Sequence, residues 1–346
     1  MARPDLQPLV DVVVLQRYLE ERLEIHDAVE VERHQAGHSN ETFFLRAGAW
    51  ECVLRRPPRG AFLPTAHDVL REFRVLSALA GTGVRVPRPI LACDDERVIG
   101  APFYLMDRID GVVIRDELPA ALRGDEADRR RIGEELVDAL VELHAVDAGA
   151  VGLEGFGKPD GYLRRQVRRW QGQLVLSEPM TRNLPELHRV GEWLDANIPV
   201  GRQHSIVHGD YKLDNVAFAS SGPAKVVAIL DWEMSTLGDP LADVGWMLSF
   251  WREPADPVEF AMDEQAVSRL PGFPSRDELA ARYADRSGRA LPDLTFYLAL
   301  ATWKLAVLLE GSYARHLAGF TDDPFFEELA EGVPALARRA LAFTRS

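Results

Sequence analysis

Residues 206–239, IVHGDYKLDNVAFASSGPAKVVAILDWEMSTLGD, hold more polar groups with a chemical use than any other part of the chain. Two apolar runs, residues 216–218 and 226–230, flank a turn cluster at residues 220–223. Apolar, β-branched runs on either side of such a cluster are typical of a hairpin. A further short strand is predicted to end at Val207, so a polar loop precedes the hairpin.

Three side chains of this stretch are predicted to lie together. Asn215 and Asp231 are equally far along the chain from Pro223, so antiparallel pairing would place them side by side, with Asp210 just beyond. Two carboxylates and one amide are hard oxygen ligands, which suit Mg²⁺ bound to substrate phosphates better than zinc. The sequence therefore predicts a magnesium site at the open end of the hairpin.

The spacing of Asp210 and Asn215 is that of a kinase catalytic loop, D-x-x-x-x-N. In such a loop the Asp orients the acceptor hydroxyl and the Asn holds the metal. Lys212 adds a cation where the transferred phosphoryl group would pass. Either Asp210 or Asn215 alone would be an ordinary turn former, but their joint spacing favours catalysis.

Three further polar residues of this region are interpreted as structural. His208 is expected to pack and orient the loop, and Asp239 and Asp243 are expected to anchor loop and helix. A chemical role for His208 is the alternative.

The motifs HGDYKLDN, ILDWE and LGDP together resemble the aminoglycoside phosphotransferase group of kinase-like enzymes, which includes choline and homoserine kinases. The resemblance is strongest to the branch related to the kinase-like domain fused to some acyl-CoA dehydrogenases, and it covers nearly the whole chain. It implies an α+β, two-lobed protein-kinase-like fold, with a small β-rich N-lobe and a larger, mainly helical C-lobe. It also implies ATP as donor, with GTP as an alternative, Asp210 as catalytic base, and Asn215 and Asp231 as Mg²⁺ ligands.

A turn at residues 36–40, AGHSN, lies between two predicted strands within residues 29–46. In a kinase-like fold this turn covers the phosphates. It has one glycine, Gly37, in place of the G-x-G-x-x-G pattern of protein kinases. The resemblance accepts this form, with Ser39 and Asn40 offering polar contacts, while an ordinary hairpin is the alternative.

Residues 50–56, WECVLRR, form a predicted strand whose alternation puts Val53 and Arg55 on one face and Arg56 on the other. Matching C-V-L-R to the kinase V-A-I-K places Arg55 where the phosphate-binding lysine stands. Arginine keeps the charge and can bind phosphate through two bonds, but its planar fork is not a lysine. The sequence leaves open whether this departure lowers activity.

A helix is predicted over residues 65–80, with Thr65 and Asp68 as a capping pair. Glu72 lies beside its apolar face, where the carboxylate that pairs with the phosphate-binding cation is expected. The sequence thus predicts an ion pair between Glu72 and Arg55, with a solvated Glu72 as the alternative.

Residues 87–106 predict two strands that lead into the segment FYLMDRIDG, which resembles the hinge between kinase lobes. Backbone groups of Met106, Asp107 and Arg108 are expected to meet the adenine edge. The predicted division is an N-lobe of residues 1–107, which binds nucleotide, and a C-lobe of residues 108–346, which is catalytic and binds the acceptor.

The C-lobe pattern is mainly helical. Helices are predicted over residues 125–146, 161–176, 241–251, 294–316 and 324–343. The second of these carries Arg164, Arg165, Arg168 and Arg169, for which a solvated face and an anionic-substrate site are the alternatives. Residues 252–276 are rich in Pro, Asp and Glu and are interpreted as a mobile loop over the substrate.

Composition limits the function classes. A net charge of −14 over 346 residues argues against nucleic-acid and membrane-surface binding, which normally need excess basic residues. The cysteines, Cys52 and Cys93, show no paired spacing. Without an N-terminal secretory pattern, a cytoplasmic location is expected. The expected partner is a small-molecule hydroxyl substrate, with the oligomeric state left open.

The leading hypothesis is a small-molecule kinase that moves the γ-phosphoryl group of ATP to a hydroxyl. A nucleotide-binding pseudokinase acting as an interaction module is the alternative; Asp210, Asn215 and Asp231 argue against it, whereas Arg55 and the single-glycine loop leave it open. A protein kinase is disfavoured because no D-F-G or A-P-E segment follows ILDWE. Aminoglycosides, amino alcohols, sugars and hydroxyacyl compounds all remain candidate acceptors.

Overall fold

The computed structural model describes residues 9–34, 40–59, 68–199, 204–320, 323 and 325–345. The chain separates into two compact units. The first contains the described residues up to Asp110 together with Ala228–Glu233, and the second contains Gly111–Val227 and the described residues from Met234 onward. Residues 228–233 thus cluster with the first unit, although the sequence analysis assigned them to the C-lobe. The functional roles assigned to the two lobes remain predictions.

The first unit is a five-stranded sheet with two helices. Its elements are α1 (Val12–Leu23), β1 (Glu30–His34), β2 (Glu41–Ala47), β3 (Trp50–Arg56), α2 (Val69–Leu79), β4 (Pro89–Cys93) and β5 (Phe103–Met106). The sheet order is β1-β2-β3-β5-β4, and neighbouring strands are antiparallel. Residues 228–233 join this unit through a backbone hydrogen bond of 2.7 Å from Ile229 N to Arg85 O.

Alternation along β3 and β5 gives the sheet two different faces. Leu54 and Leu105 pack into an apolar core with Leu15 and Leu19 of α1. Arg55 lies opposite Tyr104 in the register and faces α2 instead. The sheet therefore separates an apolar face from a polar one, as period-two alternation requires.

Two details of this unit bear on the sequence predictions. The N-cap of α2 is Asp68, which accepts a hydrogen bond of 3.0 Å from Arg71 N, so the helix begins later than predicted. Thr65, the other predicted capping residue, lies outside the described residues. Arg56 points to the opposite face from Arg55, and its guanidinium donates to the carbonyl oxygens of Leu9 and Ile99. Arg56 is therefore occupied by structural contacts.

The second unit is mainly helical. Its helices are α3 (Glu126–His144), α4 (Tyr162–Ser177), α5 (Pro185–Ala196), α6 (Leu241–Phe250), α7 (Ala261–Glu264), α8 (Arg276–Ser287), α9 (Leu294–Leu317) and α10 (Phe325–Phe343). Its short strands are β6 (Val112–Val113), β7 (Ser205–Val207), β8 (Val216–Phe218), β9 (Val226–Ile229), which continues into the first unit, and β10 (Thr236–Gly238). The strand orders are β6-β8-β9 and β10-β7, so the predicted hairpin is present.

Helix α9 forms the centre of the helical unit. It packs against α4, α6 and α10. Its length and composition would suffice to cross a membrane, but 67% of its apolar window is buried inside the protein. Burial of this extent is typical of a core helix.

Residues 252–276 are held by ion pairs. Arg252 lies 3.0 Å from Asp263, and Arg276 lies 2.5 Å from Asp256. Arg339 of α10 reaches Asp263 at 2.6 Å. These contacts differ from the mobile covering loop that the sequence suggested, because partners from distant helices cannot be read from local composition.

Candidate active site

The polar loop after β7 carries the predicted catalytic residues. β7 pairs with β10 in antiparallel register, Val207 opposite Thr236, and the loop then runs to a 3₁₀ turn at Leu213–Asn215. Gly209 has φ +87°, and a Cβ at this position would lie 2.6 Å from Met234 O. Only glycine meets both conditions, which explains the glycine of the HGD motif.

The loop backbone is anchored on Asp243 of α6. Its carboxylate accepts hydrogen bonds from His208 N at 2.6 Å and from Gly209 N at 2.8 Å. His144 Nε2 lies 3.2 Å from the same carboxylate, and His144 Nδ1 lies 2.8 Å from the Tyr283 hydroxyl. These contacts match the anchoring role expected of Asp243. The sequence did not reveal its partnership with His144 and Tyr283.

The pKa values of His144 and Asp243 are both shifted by their buried contact. Burial lowers the pKa of His144 below its usual value. Burial alone would raise the pKa of Asp243, but its hydrogen bond to His144 and its backbone donors outweigh this and hold the pKa below the ordinary range. Asp243 therefore remains ionised, and the carboxylate continues to accept the two loop N–H groups.

Asp210 is held on both carboxylate oxygens. Trp246 Nε1 donates to Oδ1 at 2.7 Å, and Asn215 Nδ2 donates to Oδ2 at 2.7 Å. The same amide nitrogen donates to the Asp210 backbone oxygen at 2.7 Å. The Asp210 side chain is 24% exposed, so it is fixed in direction yet open to a ligand. Trp246 gave no signal in the sequence beyond its place in an apolar helix.

Two lysines lie beside this carboxylate. Lys212 Nζ is 3.8 Å from Asp210 Oδ2 and 2.6 Å from both carboxylate oxygens of Asp214. Lys304 of α9 donates to Gly209 O at 2.8 Å and lies 4.0 Å from the ring centre of Trp246. Lys212 was predicted from its motif, whereas Lys304 was not, because it is an isolated lysine within an apolar helix.

In the first unit, the structure brings Arg55 and Glu72 together as predicted. Arg55 Nε lies 3.4 Å from Glu72 Oε2, and Arg55 Nη2 lies 3.4 Å from Asp231 Oδ1. Tyr104 donates its hydroxyl to Glu72 Oε2 at 2.9 Å. Burial raises the pKa of Glu72 to about 7, against the opposing effect of Arg55. Burial would lower the pKa of Arg55, but the charge of Glu72 outweighs it, so the pKa is raised and Arg55 stays a cation.

A group of acidic side chains surrounds this pair. Oxygen atoms of Glu72, Asp231 and Glu233 lie within 4.8 Å of one another. The buried Asn40 donates its amide to Glu72 and, at 3.5 Å, to Glu233. Carboxylate oxygens are the ligands that Mg²⁺ prefers, so the donor set suits a hard divalent cation. Glu233 had no predicted role, and the predicted loop residues Gly37 and Ser39 lie outside the described residues.

The predicted hinge residues have contacts of their own. The Asp107 N–H donates to Arg88 O at 2.9 Å, and its carboxylate pairs with Arg88 at 2.9 Å. Arg108 pairs with Glu51 at 3.1 Å. Met106 lies opposite Val53 in the sheet, and both are buried. The backbone N–H of Asp107 is thus already used within the protein, which removes it from the groups expected to meet adenine.

The structure leaves the pairing of Asn215 with Asp231 as a prediction, since Asn215 belongs to the second unit and Asp231 to the first. Each has a conformation that suits a ligand. The Asn215 nitrogen faces Asp210, which leaves the amide oxygen for other partners. Asp231 adopts a left-handed backbone, φ 61°, which Asp tolerates better than most residues.

A small antiparallel sheet with a buried Arg–Glu pair, and a helical unit with an Asp-x₄-Asn loop, together define a protein-kinase-like phosphotransferase. The model of the phosphotransferase enzyme family (APH) matches residues 30–282, and the chain belongs to this family. The resemblance and the fold class predicted from the sequence are both confirmed.

Curated relatives match almost the whole of this chain. The chain is 36% identical to rat acyl-CoA dehydrogenase family member 11 over 348 residues, which is 96% of the chain and 44% of that protein. It is 35% identical to mouse family member 10 over 334 residues, 95% of the chain and 31% of that protein. The chain therefore spans less than half the length of these relatives.

Solved structures show the same fold. A protein of Ralstonia eutropha described as a candidate aminoglycoside phosphotransferase is 32% identical with a TM-score of 0.83, over 97% of this chain and 98% of the other. Spectinomycin phosphotransferase APH(9)-Ia, in complex with ADP and spectinomycin, has 12% identity and a TM-score of 0.61, over 96% of this chain and 99% of the other. The second likeness concerns the fold alone.

Proposed function

We propose that this protein transfers the γ-phosphoryl group of ATP to a hydroxyl group of a small molecule. The observation that carries the proposal is the carboxylate of Asp210, which is hydrogen-bonded on both oxygens, partly exposed and 3.8 Å from Lys212. A carboxylate fixed in this way can accept the proton of a hydroxyl while that oxygen attacks phosphorus. Membership of a phosphotransferase family supports this reaction class.

Asp210 and Lys212 have complementary parts in this step. As the hydroxyl oxygen bonds to the γ-phosphorus, its proton passes to Asp210 and the bond from phosphorus to the bridging oxygen breaks, releasing ADP. Lys212 places positive charge beside the carboxylate, where charge on the transferred group develops. Trp246 and Asn215 fix the direction of the base, so the carboxylate does not have to be oriented when the acceptor binds.

The first unit supplies the groups for the nucleotide. Arg55 is a permanent cation, and its fork can bind two phosphate oxygens. Glu72 pairs with that cation on the polar face of the sheet, and Tyr104 donates its hydroxyl to Glu72. Related folds that bind ADP support a nucleotide donor, with ATP as our assignment and GTP as the alternative.

Asn215 and Asp231 are the residues we assign to Mg²⁺, with Glu233 as an additional oxygen donor. Their chemistry fits the ion because all three offer hard oxygen atoms. The ion, when bound, would neutralise charge on the phosphate oxygens. Arg55 contacts Asp231 in this structure, so binding of the metal and nucleotide would replace that contact.

Two features favour different acceptors. The solved structures include complexes with spectinomycin and hygromycin B, whereas the curated relatives carry acyl-CoA dehydrogenase names. Arg164, Arg165, Arg168 and Arg169 form an exposed basic face on α4, which favours a neutral or anionic acceptor. A phosphorylation screen across sugars, amino alcohols, aminoglycosides and hydroxyacyl compounds would identify the class.

The proposal is tested with the Asp210→Ala variant. We expect transfer to fall by a factor of at least about 100 because the general base is lost, while ATP affinity measured by calorimetry stays within about twofold. Loss of nucleotide affinity along with turnover would place Asp210 in the nucleotide site instead. ATP binding by the parent protein with no transfer to any acceptor or to water would favour the pseudokinase alternative.

A further inference from the structure

Lys304 is the one charged residue between positions 294 and 309, in the run LTFYLALATWKLAVLL of α9. Its ammonium group points toward the polar loop at residues 208–215. Nζ donates to Gly209 O at 2.8 Å and lies 4.0 Å from the ring centre of Trp246 and 5.8 Å from that of Trp170. A cavity of about 20 Å³ lies beside it, lined also by Gln166 and Tyr162.

A lysine in the core of a mainly apolar helix is costly unless its charge has partners. Its two nearest partners, the Gly209 carbonyl oxygen and the Trp246 ring, belong to or contact the segment that carries Asp210. We infer that Lys304 is a positioning residue for Asp210 and that it acts through its charge. This inference rests on the proposed phosphotransfer function.

The first route runs through the backbone. The carbonyl oxygen of Gly209 and the N–H of Asp210 belong to the same peptide group. Lys304 holds the oxygen end at 2.8 Å, and His208 Nδ1 accepts from the Asp210 N–H at 3.3 Å. Asp243 holds the preceding N–H of Gly209. Lys304 thus holds the carbonyl end of the Gly209–Asp210 peptide, and so helps to fix the plane of that peptide next to the catalytic residue.

The second route runs through Trp246. A cation over an indole face is attracted by the ring electrons, and it draws electron density away from the ring nitrogen. The indole N–H of Trp246 therefore becomes a stronger donor to Asp210 Oδ1, to which it lies at 2.7 Å. Both routes require the protonated lysine, because a neutral amine forms weaker versions of each contact.

The charged groups around Lys304 set the pH range of this effect. Asp210 on the loop and Asp243 on α6 favour the protonated form, and Arg169 on α4 opposes it. Tyr162 of α4 also faces the cavity, but burial holds its pKa far above neutral. Partial removal from water lowers the pKa of Lys304 to about 8. The positioning charge is present at neutral pH and is lost as the pH rises through about 8.

Two other roles are distinguishable from positioning. A lysine that binds the acceptor would alter the KM of the acceptor and leave turnover with water unchanged. A lysine that only fills space would be replaced by methionine without a change in the pH profile. A positioning lysine alters kcat for every acceptor, water included, and leaves the KM for ATP unchanged.

The first test measures kcat from pH 6.5 to 9.5 with Mg–ATP, using water and the acceptor found in the screen. We expect kcat of the parent protein to fall above pH 8. In Lys304→Met we expect kcat to be reduced on the order of 100-fold, with no fall near pH 8, since misplacement of a reacting group costs about this much. Lys304→Arg should recover part of the activity and move the fall to higher pH, because arginine stays charged.

Lys225→Met is the matched control, since Lys225 is an exposed lysine in the hairpin turn. It should behave as the parent protein at every pH. Retention of the fall at pH 8 in Lys304→Met, or a change in acceptor KM without a change in kcat, would overturn the inference.

A readout without turnover separates this inference from the proposed function. The indole ¹⁵N–¹H signal of Trp246, assigned with Trp246→Phe, should shift with an inflection near pH 8 in the parent protein. That inflection should be absent from Lys304→Met, or from Lys304→Gln if the methionine variant fails to fold. A Trp246 signal that does not titrate in the parent protein overturns the inference even if transfer is found. A titrating signal without any transfer would mean that the proposed function fails while Lys304 still holds the loop.

Discussion

Arg55 contacts two carboxylates at once, Glu72 and Asp231, at 3.4 Å each. A lysine would offer a single ammonium group at this position. The arginine guanidinium can keep its contact with one carboxylate while another ligand replaces the other carboxylate. We therefore expect the contact with Glu72 to persist when nucleotide binds and the contact with Asp231 to be the one exchanged. The departure from the lysine of protein kinases is compatible with phosphate binding.

Because Glu72 holds Arg55 in place, we expect mutations of the two residues to have non-additive effects on Mg–ATP affinity. Arg55→Met and Glu72→Gln should each weaken Mg–ATP binding, by roughly 10-fold to 100-fold, because one removes the cation and the other leaves it poorly aimed. The double variant should resemble the worse single variant, as expected for residues in direct contact. Calorimetry with Mg–ATP on all four proteins gives the coupling.

Arg56→Ala is the control on the other strand face. It should lower thermal stability through loss of its contacts with Leu9 O and Ile99 O, and leave nucleotide affinity unchanged. Additive losses for the Arg55 and Glu72 variants, or a larger loss of affinity at Arg56, would contradict the assigned strand face.

Glu72 also predicts a pH dependence of stability. Its pKa of about 7 in the folded protein exceeds the ordinary value of 4.5, chiefly because of burial. As the pH rises, Glu72 therefore ionises in the unfolded chain before it ionises in the folded protein. The free energy of unfolding is highest below about pH 4.5 and decreases progressively toward pH 7, by a total on the order of 3 kcal/mol. Urea unfolding at several pH values should show this slope, and Glu72→Gln should show it reduced. An unchanged slope in the variant would mean that Glu72 is ionised throughout.

Contacts between residues could be predicted where the secondary-structure pattern and a known motif pointed to the same residues. Contacts that depend only on how distant helices pack could not be predicted. Arg55 and Glu72 followed from strand alternation and helix position. Trp246 and Lys304 lie 36 and 94 residues beyond Asp210, in apolar helices whose pattern predicts only core packing. A lone lysine in such a run was the one available signal. Asn40 was predicted to contact phosphate, but its amide contacts carboxylates in this structure.

At the scale of elements, the catalytic loop is held by its backbone. Its ends are fixed by β7 and β8, and its first two residues by Asp243, which accepts hydrogen bonds from both of their backbone N–H groups. The five helices predicted for the second unit agree with the structure within a few residues because their apolar periods are regular, whereas α5, α8 and β10 were not predicted. The loop conformation was not predicted either, since it depends on Asp243 and Lys304, which come from separate helices.

Gly209 offers a test of that conformation. Gly209→Ala must meet both a positive φ and a clash at 2.6 Å with Met234 O, so it should destabilise the protein by more than the about 1 kcal/mol that a positive φ alone costs. It should also lower transfer strongly, because Asp210 is the next residue. Gly222→Ala is matched, since it has φ +79° with no atom within 4 Å of the new Cβ. Thermal unfolding and transfer rates of both variants measure the difference, and equal losses would rule out a special role for the loop glycine.

At the scale of the whole molecule, a net charge of −14 gives no indication of where positive charge is needed. Each cation assigned a role here lies within 4 Å of a carboxylate or a backbone carbonyl oxygen: Arg55 of Glu72, Lys212 of Asp214, and Lys304 of Gly209 O. Acidic composition argues against nucleic-acid binding, which stays a prediction, and it does not locate the cationic sites within the protein. The fold and family could be predicted because the HGDYKLDN and ILDWE motifs are specific, whereas the acceptor could not, because its contacts depend on the packing of several helices.

The two units predict that nucleotide binding and transfer can be separated by mutation. Asp231 belongs to the first unit with Arg55, and Asp210 to the second. A ligand that binds only the folded state stabilises it, by about 2.7 kcal/mol at a concentration 100 times its Kd. In Asp231→Asn we expect the Mg²⁺-dependent part of the thermal shift with ATP to vanish, because a ligand of the ion is weakened. In Asp210→Ala we expect that shift to persist while transfer is lost.

Titration of Mg²⁺ at fixed ATP, followed by thermal unfolding, compares both variants with the parent protein. Asp214→Asn is an acidic control on the same loop as Asp210. An equal Mg²⁺-dependent gain in Asp231→Asn and the parent protein would remove Asp231 from the metal site and leave Glu233 as the carboxylate to test next.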